Sequence, residues 1–466
     1  MNTAKENVDT TDQSEPPRKD SSRHRIARRD FMKFASGSAA AAALGACSSR
    51  TLIPTTSISE RARLVYQDWR TDWFPELAQN MLGQFQETNP SIQVFYSPDP
   101  ENLLEQMAAD FQSGTAPDVM AGCCEWFASW AQQGNLLDLR PFVEADLEQS
   151  VVNDWDPAQY SALFTQDGLQ FALPKYHGAL GLYYNKDLFD EYGVDYPTDD
   201  WTHEDYRRAM QQLTHDRSGD GKIDLWGSMM DIAWERLQVH VNAWGGHFVN
   251  PEDPSRSLMA QPESLAAMEW IRARIWDDRI MAGFLDVQNM ETRQAFLNGH
   301  IAMVEDGSWA LKDILENADF ALGVTTFPAG PARKVTLATT DGFGIYAGTR
   351  HPEAAWELLK FLVSRDYGRA MAEAHLLQPA RASLVGEWIE LIRRAYPEKT
   401  KDMALESFAD GHENGYSVTA EIFADMEAAR QLAQPAWQKI FTLGQGSVED
   451  LVQVSARIDL AQPRED

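Results

Sequence analysis

From Arg63 to Met120 the chain alternates between two hydrophobic periods, and that alternation limits the fold more than any other feature. Arg63-Leu64-Val65-Tyr66-Gln67-Asp68-Trp69 reads as a strand. Trp73 to Thr88 carries Phe74, Leu77, Met81, Leu82 and Phe85 at helical spacing, and Asn89-Pro90 stops it. Ile92 to Tyr96 reads as a strand, Leu103 to Phe111 as a helix, and Asp118-Val119-Met120 as a short strand after the break at Ser113–Pro117. Strands separated by helices predict an α/β fold with a mainly parallel sheet. Asn185 to Phe189, Glu263 to Asp277, Ala354 to Ser364 and Asp402 to Gly411 also read as helical. Trp201-Thr202-His203-Glu204-Asp205 reads as a helix start, with Thr202 as N-cap and Asp205 three residues on.

The first 60 residues follow other rules. A polar, basic segment holds Arg23, Arg25, Arg28 and Arg29, and an Ala/Gly/Ser-rich stretch runs from Phe34 to Ala46. That stretch is too short and too weakly apolar for a membrane-spanning helix. Arg28-Arg29-Asp30-Phe31-Met32-Lys33 resembles the twin-arginine export motif, and Leu44-Gly45-Ala46-Cys47 resembles a lipobox. The resemblance implies cleavage after residue 46, diacylation of Cys47 and a tether over residues 47–60. Two acyl chains give stable anchoring. The expected location is outside the cytoplasm, anchored on the periplasmic or extracellular face of the membrane.

Residues 1–46 hold 8 basic and 6 acidic side chains, so the remainder carries 33 basic against 64 acidic, a net charge of −31. Such a surface repels nucleic acid and anionic lipid. No later run is long and apolar enough to span a bilayer. With Cys47 assigned to the anchor, Cys123 and Cys124 remain: two packed thiols, with a strained vicinal disulfide as the alternative.

Several segments in a fixed order resemble one family. They are Ala116-Pro117-Asp118-Val119 with Trp130, Gly134 and Leu136–Phe142; Ala172-Leu173-Pro174; Gly181 to Phe189; Ala295 to Met303; Gly307-Ser308-Trp309; and Ala354 to Leu362. The chain resembles the extracellular solute-binding proteins of ABC importers, in the sugar-binding branch that includes maltose-binding protein. The resemblance spans residues 61 to about 440. It implies a two-lobed periplasmic-binding-protein-like fold with a ligand cleft between the lobes. By that analogy lobe 1 is 61–175 and 344–402, and lobe 2 is 176–343 and 403–466. The crossings fall near 174–178, 340–344 and 395–405, with Gly178, Gly342 and Gly344 as hinge candidates. The implied partners are a mono- or oligosaccharide and the permease subunits, and the expected state is a monomer.

A sugar offers C–H faces to aromatic rings and hydroxyls to directional polar groups. The candidate ligand-binding residues are Trp69, Glu125, Trp126, Tyr176, His177, Trp234, Trp244, Gly245, Asp306, Ser308, Trp309, Asp341, Phe343 and Arg381. Glu125 and Trp126 follow the carboxyl end of a strand, where ligands of open α/β sheets sit. The rest fall where the family's lobe edges face the cleft. Asp216-Arg217-Ser218-Gly219-Asp220-Gly221-Lys222-Ile223-Asp224 resembles a Ca²⁺ loop, with Asp216, Ser218, Asp220, Lys222 (by its carbonyl) and Asp224 as ligands. Position 12 is Gly227, so the bidentate carboxylate is missing, and a plain Asp-Gly turn is the alternative. No cofactor is required. Other solutes (a phosphorylated polyol, a polyamine, a peptide) remain alternatives, as does a secreted polysaccharide hydrolase. Neither a nucleophile elbow nor His-Glu-x-x-His occurs, so the expectation is no enzyme.

Overall fold

The computed structural model describes residues 61–68 and 75–463, all inside the unit Ser59–Asp466. The expected signal segment, Cys47, the tether and Trp69 lie outside the described residues. Ten strands build two sheets. In chain order they are β1 (Ala62–Asp68), β2 (Ile92–Pro98), β3 (Val119–Gly122), β4 (Leu173–Pro174) and β5 (Leu180–Asn185). Then come β6 (Trp226–Met229), β7 (Met281–Ala282), β8 (Ile301–Gly307), β9 (Leu322–Thr326) and β10 (Gly342–Ile345).

The first sheet has the order β2-β1-β3-β10-β4 and the second β9-β5-β8-β6-β7. In the first, β1 pairs in parallel with β2 and β3, as the strand–helix alternation requires. The intervening helices are Pro75–Thr88 and Leu103–Ser113. β10 then enters antiparallel to β3 and β4. The second sheet departs further from a mainly parallel one, since β5 runs antiparallel to both β8 and β9. β5 enters this sheet straight from the first lobe, so no crossover helix sets its direction. All six residues of β5 are buried, because helices and loops cover both faces of the sheet.

Each lobe has its own core. Leu64, Tyr66, Val119, Phe343 and Ile345 pack with Leu359, Leu362 and Met371 in the first. In the second, Leu182 and Tyr184 face a core closed by Met210, Phe248, Trp437 and Ile458. Tyr183 points the other way, toward Val304, Leu311 and Phe408. Neighbours along β5 thus serve opposite faces. The helix starting at His203 has the expected capping box: Thr202 accepts from the Asp205 backbone N–H, and Asp205 accepts from that of Thr202.

The chain passes between lobes at 175–179 and returns at 338–341. The third passage corrects the expectation of 395–405. Tyr367 and Met371 belong to the first core, whereas Val385, Trp388, Ile389 and Ile392 belong to the second. Helix Val385–Ala395 therefore sides with the second lobe, and the chain crosses between 371 and 385. The expected position came from family analogy, which does not fix where this chain changes lobes.

None of the three expected hinge glycines has a positive φ in this conformation. Gly178 is there for close packing: a Cβ would lie 2.6 Å from Thr339 Cγ2 and 2.8 Å from Trp309 Cε3. Gly178→Ala is expected to destabilise the fold by ~1–3 kcal/mol through overpacking, read as a lower urea midpoint. An unchanged midpoint would show that Thr339 and Trp309 yield freely.

Candidate functional site

β3 leads directly into helix Cys124–Gln132, which carries Glu125 in its first turn. Cys124 has φ 58°, an uncommon conformation for a non-glycine residue. Glu125 is buried, and Arg430 from helix Met426–Trp437 of the second lobe reaches its Oε1 at 2.7 Å. Glu235, also from the second lobe, presents a carboxylate oxygen within 4.8 Å of both the Glu125 carboxylate and the Cys124 sulfur. Burial and the Glu235 charge raise the Glu125 carboxyl above its usual range, with Arg430 opposing. The lobes therefore meet across this part of the cleft. Both cysteines are free thiols, and the Cys123 contact followed by burial raises Cys124 well above the usual thiol range.

The second lobe holds a cavity of about 790 Å³ lined by Asp231, Arg236, Glu291, Arg293, Asp306 and Trp309, among others. Its size suits a small-molecule site. Asp306 lies near the end of β8 and accepts from Arg293 Nε at 2.8 Å, with Arg236 3.7 Å away. The Arg236 guanidinium sits 5.0 Å from the centroid of the Trp309 ring, a cation over an aromatic face. A second pocket of about 350 Å³ takes Gln132, Phe164 and Gln166 from the first lobe and His247, Asn250 and Glu421 from the second.

The other expected residues are placed differently. Trp126 is half-buried against Trp130, ring centroids 4.7 Å apart, in a first-lobe aromatic cluster. Trp244 is half-buried against His203 and Trp270, and Gly245 makes the left-handed turn after it with φ 83°. Trp234 is a core residue, 5% exposed: it packs on Phe248, Phe423 and Trp437, and its Nε1–H donates to the Glu421 carbonyl. Tyr176 and Phe343 are buried in the first-lobe core. Arg381 is buried as well; it donates to the carbonyls of Val151 and Val363 and covers the Trp155 ring. All four side chains are buried. Ser308 and Asp341 brace the crossings. Ser308 Oγ accepts from Ala179 N–H and bonds the His177 carbonyl, while the Asp341 carbonyl accepts from Lys175 N–H. His177 pairs with Asp156 at 3.2 Å.

In the 216–224 loop the acidic side chains serve the turn itself. Asp216 accepts from the N–H groups of Gly219, Asp220 and Gly221, and Asp224 from those of Arg217 and Ser218. These bonds lower both carboxyl pKa values, the largest contributions coming from Gly221 N–H and Arg217 N–H respectively. Asp216→Ala is expected to lower the melting temperature equally in EGTA and in calcium. A loss seen only in calcium would make the loop a metal site.

Sequence reasoning missed Glu235, Arg236, Arg293 and Arg430. Glu235 and Arg236 directly follow Trp234 in the first turn of helix Trp234–Ala243. Arg430 carries no local signal, because its partner lies some three hundred positions away.

Two α/β lobes around a polar cleft, joined by three passages of chain, define a two-lobed binding protein. Residues 68–369 match the family model of the bacterial extracellular solute-binding protein, and the chain belongs to that family. A putative binding protein of Brucella abortus is 24% identical over 289 residues, 61% of this chain and 67% of that one. The maltodextrin-binding protein of Bacillus subtilis is 23% identical over 329 residues, 68% and 72% of the two chains. Among solved structures, the ABC substrate-binding protein of Listeria monocytogenes in complex with cycloalternan aligns with TM-score 0.74 at 22% identity, covering 86% of this chain and 98% of that one. The sugar-binding protein of Xanthomonas citri aligns with TM-score 0.68 at 17% identity, over 86% and 97%.

Proposed function

We propose that the chain is the extracytoplasmic binding component of an ABC importer and takes a mono- or oligosaccharide between its lobes. One observation carries the reading: Trp309 lies beside Asp306, Arg236 and Arg293 in a single cavity. That set pairs an aromatic face with directional acceptors and donors, which is what a sugar ring requires. The sugars named for the Bacillus and Listeria relatives support the same class. Closure around the ligand then presents the surface that docks on the permease, so binding energy drives a motion and not a reaction.

Twin-arginine export and acylation at Cys47 complete the proposal: the anchor keeps the binder beside its permease. A relative from Streptomyces antibioticus, 22% identical over 389 residues, is named a lipoprotein, which supports this part. No helix among the described residues is long and apolar enough to cross a membrane. The attachment would therefore rest on Cys47, and Cys47→Ser is expected to move the protein from the membrane fraction to the soluble one.

Glu125 and Glu235 invite the hydrolase alternative, because paired carboxylates hydrolyse glycosides. They sit on different lobes, however, so their separation changes as the cleft opens, which suits a clasp better than fixed acid–base work. The test is calorimetric titration with maltooligosaccharides followed by recovery of the ligand. Saturable binding with the sugar recovered intact is expected; shortened products would overturn the binding-only reading, and no binding at all would count against this sugar series.

A further inference from the structure

On the hinge side of the cleft, one buried first-lobe carboxylate meets both the first crossing and the second lobe. Asp156 opens the short helix Pro157–Ser161, and its Oδ1 accepts from the backbone N–H groups of Ala158 and Gln159 at 2.7 and 3.0 Å. Its Oδ2 lies 3.2 Å from His177 Nε2, on the first crossing, and 3.1 Å from His412 Nδ1. His412 sits in the last turn of helix Ser407–Glu413, whose Phe408 and Ala409 belong to the second-lobe core. Next door, Gln159 Nε2 donates to the carbonyls of Tyr176 and Thr339, one on each crossing, at 2.8 and 2.7 Å. A single turn of first-lobe helix therefore holds the two crossings and a second-lobe helix at once.

We propose that the Asp156–His412 contact is a proton-operated tie between the lobes, so that the balance of apposed and open arrangements depends on pH. The lobes already meet across the cleft through Arg430 and Glu125, so the tie as seen belongs to the apposed arrangement. Protonating His412 turns a hydrogen bond between a neutral imidazole and the Asp156 carboxylate into an ion pair, a stronger contact.

The two histidines play different parts. His177 is 3% exposed and belongs to the first crossing; its Nε2 meets Asp156, and its Nδ1 has no hydrogen-bond partner among the described residues. His412 is half-buried, and the hydrogen bond to Asp156 raises it above the usual histidine range against the opposing effect of burial. The other charges facing it are Glu413 on its own helix and Asp154 on the first lobe, both acting in the same direction. Asp154 is itself 3.7 Å from Arg365. Burial works to raise the Asp156 carboxyl, but the His177 and His412 contacts outweigh it and hold it well below the usual range. Asp156 therefore stays charged throughout, and His412 is the group that switches.

The sign follows from linkage. A histidine whose value is raised in the tied state contributes fully below its ordinary value of about 6.5 and loses that contribution as pH rises through the raised value. Mildly acidic conditions favour the apposed lobes and alkaline conditions release them. Each unit by which the tie raises His412 changes the ratio of apposed to open by about tenfold. Only the consequence for ligand affinity rests on the proposed binding function.

The test is small-angle scattering of the full chain without ligand between about pH 6 and 9, a window above the carboxylates. The radius of gyration is expected to rise with pH in the wild type and to stay flat in His412→Gln. A flat wild-type profile, or a rise that persists in His412→Gln, overturns the proposal. An NMR titration of the wild type covers the case of a poorly folded variant: His412 must titrate above about 6.5, and a midpoint at or below that value also overturns it. Because no sugar is added, failure to bind any sugar would sink the proposed function and leave this result standing.

Discussion

Replacing Lys175 by Met is expected to cost ~3–5 kcal/mol of folding stability. Its ammonium lies 2.6 and 2.8 Å from the two Asp68 carboxylate oxygens, and both side chains are 0% exposed. Asp68 ends β1 at the first-lobe side of the cleft, and Lys175 opens the first crossing. Tyr66 donates its hydroxyl to the same carboxylate at 2.8 Å. Two charges taken wholly out of water come close to balancing their mutual attraction against lost hydration. Removing one partner leaves the other charge buried without its ion, and that state is strongly unfavourable. Lys175→Met keeps the chain length and deletes the charge. The pair replacement Asp68→Leu with Lys175→Met should recover most of the loss, since it removes both charges together. Urea unfolding of the three variants checks this. A single-variant loss below about 1 kcal/mol would mean that water reaches the pair.

Trp309→Ala is expected to weaken the best sugar ligand by about thirtyfold, on the order of 2 kcal/mol. Trp309 is the aromatic ring of the large second-lobe cavity, and it is backed by Gly178 and Gly307, which leave it no side chain to clash with. The Arg236 guanidinium occupies a face of that ring, so a bound sugar either takes its place or is sandwiched with it. Trp234 provides the contrast. It is equally aromatic but sits in the second-lobe core, and Trp234→Phe should lower the melting temperature while leaving affinity within about twofold. If Trp234→Phe removed binding and Trp309→Ala did not, the cleft would be assigned to the wrong side of the lobe.

The parts legible in the sequence are those set by neighbours along the chain. The β1 to β3 alternation and the Thr202–Asp205 capping box both follow from local pattern. What was not legible depends on which distant surface each element meets. The third passage was placed at 395–405 by family analogy, whereas Val385, Trp388, Ile389 and Ile392 already pack in the second core. The second sheet is mixed because β5 arrives directly from the first lobe and so escapes the crossover rule. The site shows the same division. Trp234 and Trp309 both follow strands of the second sheet, and only tertiary packing makes one core and the other cavity wall. A usable signal did exist for Trp309, in the Gly307-Ser308 pair before it, since small residues leave room for a ring to lie flat. Nothing comparable marked Arg430, which reaches Glu125 only once both lobes have formed.

The claim that matters most is that this cleft takes a neutral sugar, and a thermal-shift screen tests it most directly. The panel would hold monosaccharides, maltooligosaccharides of increasing length, a polyamine, a peptide and a phosphorylated polyol. A ligand that binds only the folded state raises the melting temperature, by about 2.7 kcal/mol of added stability at a hundredfold excess over its dissociation constant. The account predicts such a rise with at least one neutral mono- or oligosaccharide and its loss in Trp309→Ala. A rise confined to the polyamine, the peptide or the phosphorylated polyol would contradict it.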